Sequence, residues 1–417
     1  MNDREAIETL RELFAVAVTA ASPVAGVLAN LPDPPRGRTA VIALGKAAIP
    51  MAEAFEQAWR RPLEGLAIAP HGLKASLKSI RLLSSSHPIP DAASLVAAEA
   101  ALQLASTLHQ DDLLVALISG GGSSLMSKPA AGISLEEKRA IGKALLKSGA
   151  NIAELNCVRK HISAVKGGLL ARAAGEARIC TLIVSDVPGD DPAIVASGPT
   201  VGDQTSKADA LAILNRYTID LLPSVIACLA GPAVARGPLR GDNVTKVIVS
   251  PHQSFTAVIA EARAKGLDVL YLGDRIEGEA REVAKVHAGI AQHIRQHRTP
   301  GEKPCLLLSG GETSVTVRGT GRGGRNVEFA LAFAVAMAGE PGIFALSADS
   351  DGVDGMEQIA GAIVSPSTLQ RARNLGINPV NCLENNDGHG FFKALGDQVI
   401  TGPTQTNVND VRGILIT

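Results

Sequence analysis

The chain has 417 residues, a length at which one hydrophobic core has usually given way to several, so two domains are expected. Hydrophobic residues make up 46% and charged residues 19%, a globular balance that excludes extended disorder and coiled coil. Forty Lys and Arg against forty-one Asp and Glu leave a net charge of −1, and aromatic residues are only 3%, so neither a basic field nor a stacking platform for nucleic acid exists.

In chain order, the apolar run Leu13–Ala21 is short of a membrane span and follows Asp3, Glu5 and Glu8, which predicts an amphipathic first helix rather than a signal peptide. Strands are expected at Thr39–Leu44, Leu113–Ile118, Thr181–Val184, Lys246–Val249, Val269–Leu272, Leu306–Leu308 and Ile343–Leu346. Helical patterns lie between them at Ile49–Trp59, Ala92–Leu108, Leu135–Ser148, Phe255–Lys265 and Val327–Ala338, with Ser134 and Glu137 forming a capping box. Strands alternating with helices of this length predict an α/β fold with mainly parallel sheets. The Gly- and Pro-rich stretch Gly231–Asp242 is the expected domain junction, and His297–Pro304 an expected surface loop. LISGGGSSL (Leu117–Leu125) and LLSGGETSV (Leu307–Val315), followed in each half by SGPT (Ser197–Thr200) or TGPT (Thr401–Thr404), raise the question of two halves of one design. The five cysteines stand singly, as reduced thiols of a cytoplasmic protein would, and the histidines include no zinc motif.

Ligands of open α/β sheets sit beyond the carboxyl ends of strands, so the residues just after each strand matter most. Ser119-Gly120-Gly121-Gly122-Ser123-Ser124 offers a turn that can bring N–H groups and hydroxyls against an anion; a tight strand–helix turn is the plain alternative. Lys46 follows the first strand and could neutralise a transferring phosphoryl group, although no G-x-x-x-x-G-K-[ST] motif is present. Gly310 and Gly311 precede Glu312, and Gly319, Gly321 and Gly324 spell G-x-G-x-x-G. That motif formally suggests a dinucleotide site with Asp349 as ribose ligand. The very short strand expected before it (Val315–Val317) suggests a hairpin instead, and Arg322 and Arg325 suit a clamp on a phosphate or carboxylate. Acidic loops at Asp186–Asp191 and Asp349–Gly355 could cap helices, hold a hard cation or supply a base. Arg159-Lys160-His161 and Lys166-Gly167-Gly168 read as a solvated helix face, with phosphate contact as the other reading. Together these are the parts of a phosphoryl-transfer site.

LISGGGSSL, NCVRKHISAVKGGLLA (Asn156–Ala171), SDVPGDDPAIVASGPTVGD (Ser185–Asp203), LSGGETSVTVRGTGRGGRNVEFAL (Leu308–Leu331) and TGPTQTNVNDV (Thr401–Val411) resemble the glycerate 2-kinase family across nearly the whole chain. The resemblance implies a Rossmann-like N-terminal domain (1–237) and a MOFRL-type C-terminal domain (238–417) enclosing a cleft. It implies ATP-dependent phosphorylation of D-glycerate to 2-phosphoglycerate with Mg²⁺. Lys46 and Arg325 match the family's catalytic basic pair and Asp351 the acid of its D-G-x-D-G loop, while Asp186, Asp190 and Glu312 are candidate metal ligands. Ser119, Gly120, Gly121, Gly122, Ser123, Ser124, Gly310, Gly311, Arg322 and Asn326 fall to substrate and phosphate binding. Met356 and Glu357 depart from the family's DGPTDAAGA. The expected partners are the small-molecule substrate and a nucleotide, with no nucleic acid and no membrane; a homodimer stays an open expectation. Members have also been called hydroxypyruvate reductase, so a nicotinamide-dependent reductase and a non-catalytic metabolite binder remain as alternatives.

Overall fold

Unbroken apolar runs bury a strand on both faces, and such runs build the first sheet. In this computed structural model, which describes all residues except 188, 233–241 and 299–302, the strands are β1 (Thr39–Leu44), β2 (Glu64–Pro70), β3 (Ile80–Ser85), β4 (Leu113–Ser119), β5 (Arg178–Val184) and β6 (Val244–Val249). All neighbouring pairs are parallel, in the order β3-β2-β1-β4-β5-β6. Every residue of β1 and β4 is buried. Helices Ala48–Ala58 and Ala92–Ser106 are among the crossovers, and Leu135–Ser148 starts at the expected Ser134–Glu137 box.

The remaining strands are β7 (Asp268–Tyr271), β8 (Gly278–Glu279), β9 (Cys305–Gly311), β10 (Thr313–Ser314), β11 (Ile343–Asp349), β12 (Gly361–Val364), β13 (Gln398–Val399) and β14 (Asp410–Ile416). They form a sheet ordered β13-β12-β11-β14-β9-β7 and a parallel β8–β10 ribbon. Within the six-stranded sheet the expectation of mainly parallel pairing fails, because β7–β9 is its one parallel pair among the described residues. The segment from β11 to β12 contains no helix, so the chain turns straight back, and the last strand, β14, slots antiparallel between β9 and β11. The expected hairpin before the glycine loop is also absent, since β10 pairs with β8 and 315–317 forms no strand. With one sheet parallel and the other largely antiparallel, the repeated phrases do not reflect one shared topology.

Contacts divide the chain into Pro23–Val249 and a second unit made of Met1–Ser22 with Ser250–Thr417. This differs from a split at 237/238 at both ends. β6 belongs to the first sheet, and helix Asp3–Ala20 packs on the second sheet through Ala6, Leu10, Leu13, Phe14 and Ala17. Ser254 Oγ ties it down by donating to the Ala17 carbonyl at 2.6 Å. The first helix is thus amphipathic, as its spacing predicts. Most of the expected junction Gly231–Asp242 and the middle of His297–Pro304 lie outside the described residues.

Candidate active site

From β1 the first sheet grows outward through β2 to β3, then the chain returns to the other side of β1 as β4. The order reverses between β1 and β4, and in open α/β sheets such a reversal is where ligands bind beyond the carboxyl ends of the strands. Lys46 stands at the end of β1 and residues 119–124 at the end of β4, with Asp186–Asp191 after the adjacent β5. Parallel pairing therefore brings three of the predicted loops to one sheet edge.

The two turns at the reversal are sewn together. Ser119 Oγ accepts the Ala47 N–H at 3.0 Å and donates to the Leu44 carbonyl at 3.1 Å, while the Lys46 N–H donates to Gly120 O at 2.9 Å. Ser119 is therefore a buried latch that fixes where Lys46 leaves the sheet. Gly121 has φ +79°, and a Cβ there would lie 3.0 Å from the His87 ring and 3.3 Å from Lys46 Cγ. His87, an exposed residue that the sequence motifs did not single out, thus stands beside Lys46. The helix after Gly121 is a single turn, Gly122–Leu125, so its macrodipole is slight and anion affinity must come from N–H groups, hydroxyls and nearby cations. Ser124 Oγ closes the turn on Gly121 O at 3.1 Å.

The basic run does not form a solvated face. Lys160 and His161 are buried beside Asp203, at 3.3 and 3.4 Å, and Lys166 is buried against Ser123. Asp190 takes φ +57° and its Oδ1 is buried with no hydrogen-bond partner among the described residues. Asp186 sits half-buried at the start of the same loop.

In the second unit the register builds a polarity gradient along one buried sheet face. Side chains alternate between faces, so the aligned rows across β11, β14 and β9 are Ile343–Ile416–Cys305, Ala345–Ile414–Leu307, Ser347–Arg412–Ser309 and Asp349–Asp410–Gly311. Two carboxylates directly opposite each other repel. Arg325, the first residue of helix Arg325–Met337, bridges them: Nε donates to Asp410 at 2.8 Å, Nη2 to Asp349 at 2.8 Å and Nη1 to Glu312 at 2.5 Å. Burial works against its charge, but Asp410, Asp349 and Glu312 outweigh burial and hold its pKa well above the usual arginine value. Arg412 lies beneath with no side-chain exposure, 2.6 Å from Asp410 and 5.4 Å from the Phe329 ring centroid, a cation–π contact.

Asn326 is fully buried: its amide donates to Asp410 at 2.8 Å and accepts from Ser347 at 2.7 Å, so it steadies the carboxylate rather than facing a ligand. Asp354 caps the helix from outside by accepting the N–H groups of Asn326 (3.0 Å) and Val327 (2.9 Å). Its close approach requires Gly324, where a Cβ would fall 2.3 Å from Oδ1. A Cβ at Gly319 or Gly321 would likewise fall 2.3 or 2.5 Å from the Asn385 carbonyl oxygen. The three glycines of G-x-G-x-x-G thus serve chain packing, and the strand before them, β10, has only two residues and ends at Ser314. Gly310 and Gly311 face Phe255 and Ile276 closely, so their lack of a side chain is also used internally. Asp351 is buried on the same loop, with Oδ1 accepting the Val353 N–H at 2.8 Å. Among the described residues no group of three or more His, Cys, Asp or Glu is gathered to hold a metal, and Glu312 is committed to Arg325.

Burial raises the Asp354 pKa to about 6, against the two N–H groups and with a push from Asp410. An acid raised on folding keeps its proton in the native state while the unfolded chain loses it, so stability from this group falls as pH climbs from about 4 to about 6. Denaturant unfolding of wild type and Asp354→Asn at both ends of that window should show the wild type losing on the order of 2 kcal/mol relative to the variant. Parallel profiles would mean that the carboxyl is ionised throughout.

Residues 9–230 match the family described as Domain of unknown function (DUF4147), and residues 305–410 match the MOFRL family. The D-glycerate 2-kinase of Thermotoga maritima is 36% identical over 415 residues, covering 99% of each chain. The crystal structure of a glycerate kinase from the same organism aligns with TM-score 0.88 and 35% identity over 99% of this chain and all of that one. The chain belongs to the glycerate 2-kinase family. A 48% identical protein from Agrobacterium vitis, aligned over 100% of this chain and 95% of its own, carries the provisional name hydroxypyruvate reductase.

Against the family pattern, the departure at Met356-Glu357 acquires a structural meaning. Met356 is 95% exposed and touches little, but Glu357 grips Arg322 in a two-pronged pair at 2.7 and 2.6 Å and lies 3.5 Å from His389. The Glu357 pairing lifts the Arg322 pKa and, with Arg322 as its main cause, holds the Glu357 pKa below its usual value. Arg322, expected as a ligand clamp, is here half of an ion pair that this member of the glycerate 2-kinase family builds on its acidic loop. Asp410, Arg412 and Ser197 are given no role by motif reading, whereas Asp354 does the helix capping that the Asp349–Gly355 loop suggests. The signal for the first two was present, as the alternation D-x-R-x-I-x-I in β14 places Asp410 and Arg412 on one face with Ile414 and Ile416.

Proposed function

We propose that the protein phosphorylates D-glycerate with ATP, giving 2-phosphoglycerate. The observation that carries this reading is the pairing of a lysine with a glycine-serine turn at the reversal point of a parallel sheet, in a chain whose relatives include a D-glycerate 2-kinase. Lys46 neutralises charge that develops on the moving phosphoryl group. The 119–124 turn offers its N–H groups to an anionic group of the substrate. Arg325, preset by its carboxylates, takes the glycerate carboxylate, and Asp351 orients or deprotonates the attacking hydroxyl. The phosphoryl group leaves the β-phosphate oxygen and bonds to the glycerate oxygen, whose proton passes to the carboxylate.

Mg²⁺ fits this scheme where one or two protein carboxylates suffice, the rest of its shell coming from phosphate and water. The buried Asp190 Oδ1, which has no hydrogen-bond partner among the described residues, is suited to it, with Asp186 on the same loop. The ion supplies charge neutralisation on the phosphates.

A reductase reading is favoured by the name of the 48% identical Agrobacterium vitis relative and by the β3-β2-β1-β4-β5-β6 order, which dinucleotide-binding sheets share. The first turn of this sheet, however, carries Gly45-Lys46-Ala47-Ala48 in place of the glycine fingerprint. Purified protein with D-glycerate and Mg-ATP is expected to release ADP in a coupled assay, with the new phosphate on the 2-hydroxyl by phosphorus NMR. NADH oxidation with hydroxypyruvate and no release of ADP would instead establish the reductase, and binding without either reaction a metabolite-binding protein.

A further inference from the structure

The Lys166-Gly167-Gly168 run has no part in the steps above, yet Lys166 is among the largest fully buried side chains, at 2% exposure. We infer that Lys166 is a positioning residue that sets the 119–124 turn to receive an anion, acting through Ser123; this rests on the proposed reading of that turn as part of the substrate site.

Three observations lead there. Lys166 Nζ donates to the Ser123 carbonyl at 2.5 Å and to Ser123 Oγ at 3.0 Å. Ser123 Oγ lies 3.0 Å from Ser197 Oγ, and Ser197 donates to Asn156 Oδ1 at 2.6 Å, so the Ser197 oxygen accepts the Ser123 proton. The Ser123 hydroxyl is thus fixed in direction, receiving from the amine and giving to Ser197. Its neighbour Gly121 packs against His87 and Lys46, so a shift at Ser123 is felt at the lysine beside it.

The backbone around Lys166 is laced to the strained SGPT turn. Gly167 N–H donates to Ser197 O at 3.1 Å, Gly168 N–H to Gly198 O at 2.8 Å and Leu170 N–H to Pro199 O at 3.1 Å. Ala196 and Ser197 hold φ values of +51° and +62°, a region that side-chain-bearing residues occupy only when their surroundings demand it. The two phrases KGG and SGPT, distant in the sequence, are one structural piece behind the turn.

Electrostatics make a purely packing role a poor account. An ammonium out of water costs stability, and the charges that face this one include Lys138 and Arg159, also positive. Burial first, then those two cations, push the Lys166 pKa well below the usual lysine value. An apolar side chain of similar length would fill the space at less cost. A cation behind the turn gains when an anion occupies the front, which is a gain in binding rather than in folding.

The test separates those two. Lys166→Met should keep or raise the unfolding midpoint, while weakening inorganic pyrophosphate binding and raising the KM for the substrate held by the turn, each roughly tenfold. Ser123→Ala, which keeps the buried amine, should weaken both severalfold without loss of stability. The double variant should be little worse than Lys166→Met alone, because both act on the same hydroxyl. A Lys166→Met protein with unchanged pyrophosphate affinity and KM overturns the inference, as does a loss of binding that only tracks a fall in stability. Pyrophosphate binding is read without turnover: if it responds as expected in a protein that does not phosphorylate glycerate, the positioning role stands and the kinase reading falls.

Discussion

Arg325→Ala is expected to lose turnover and stability together. The guanidinium joins Asp349 and Asp410, which face each other across β11 and β14 with side-chain exposures of 5% and 0%. Without it, two buried carboxylates are left opposed across the strands, with Arg412 in direct contact with Asp410. Breaking a buried pair by removing one partner typically costs about 3–5 kcal/mol, so a clear drop in melting temperature should accompany the loss of activity. Arg325→Lys keeps a charge but cannot donate to three carboxylates from one planar fork, and should recover part of the stability and little of the turnover. An Arg325→Ala enzyme with near-normal kcat and melting temperature would remove both the binding role and the bridge.

Lys46→Ala should behave in the opposite way with respect to folding. The position of Lys46 is fixed by backbone bonds, from its N–H to Gly120 and from the Ala47 N–H to Ser119, and none of these needs the lysine side chain. The turn should therefore keep its shape in the variant, whose melting temperature should fall less than that of Arg325→Ala. Removing one preorganised charge from a transition state costs roughly 3–4 kcal/mol, so kcat should fall about 10²- to 10³-fold, read in the coupled assay with both substrates saturating. A large rise in KM with kcat intact would reassign Lys46 to ground-state binding.

The contrast between Lys46 and Arg325 also marks how far motif reading reaches. The place of Lys46 at the end of β1 is legible because its setting is local: an apolar strand, a glycine, then a charge. Arg322 and Arg325 looked alike on one glycine loop, and their different fates depend on remote residues, Glu357 for one and Asp410 for the other. The G-x-G-x-x-G phrase misleads for the same reason, since what its glycines approach is Asn385 and Asp354 rather than a pyrophosphate. The run Arg159-Lys160-His161 was misread as solvated because hydrophilic side chains carry no local sign that an aspartate more than forty residues away will bury them.

From the sequence alone came the α/β class, most strands of the first sheet, the amphipathic first helix and the phrases that mark the glycerate 2-kinase family. All of these are short-range properties, set by the period of apolar residues and by the conformations open to a few neighbouring residues. The direction of the second sheet, the place of the first helix in the second unit and the Asp349–Asp410–Arg325 bridge were decided only in three dimensions. They depend on which distant segments pair: Arg325 and Asp410 are 85 positions apart, and their meeting follows from the last strand entering between β9 and β11. A one-residue slip of that strand would turn Asp410 and Arg412 to the opposite face, which is why register, and not composition, creates this part of the site.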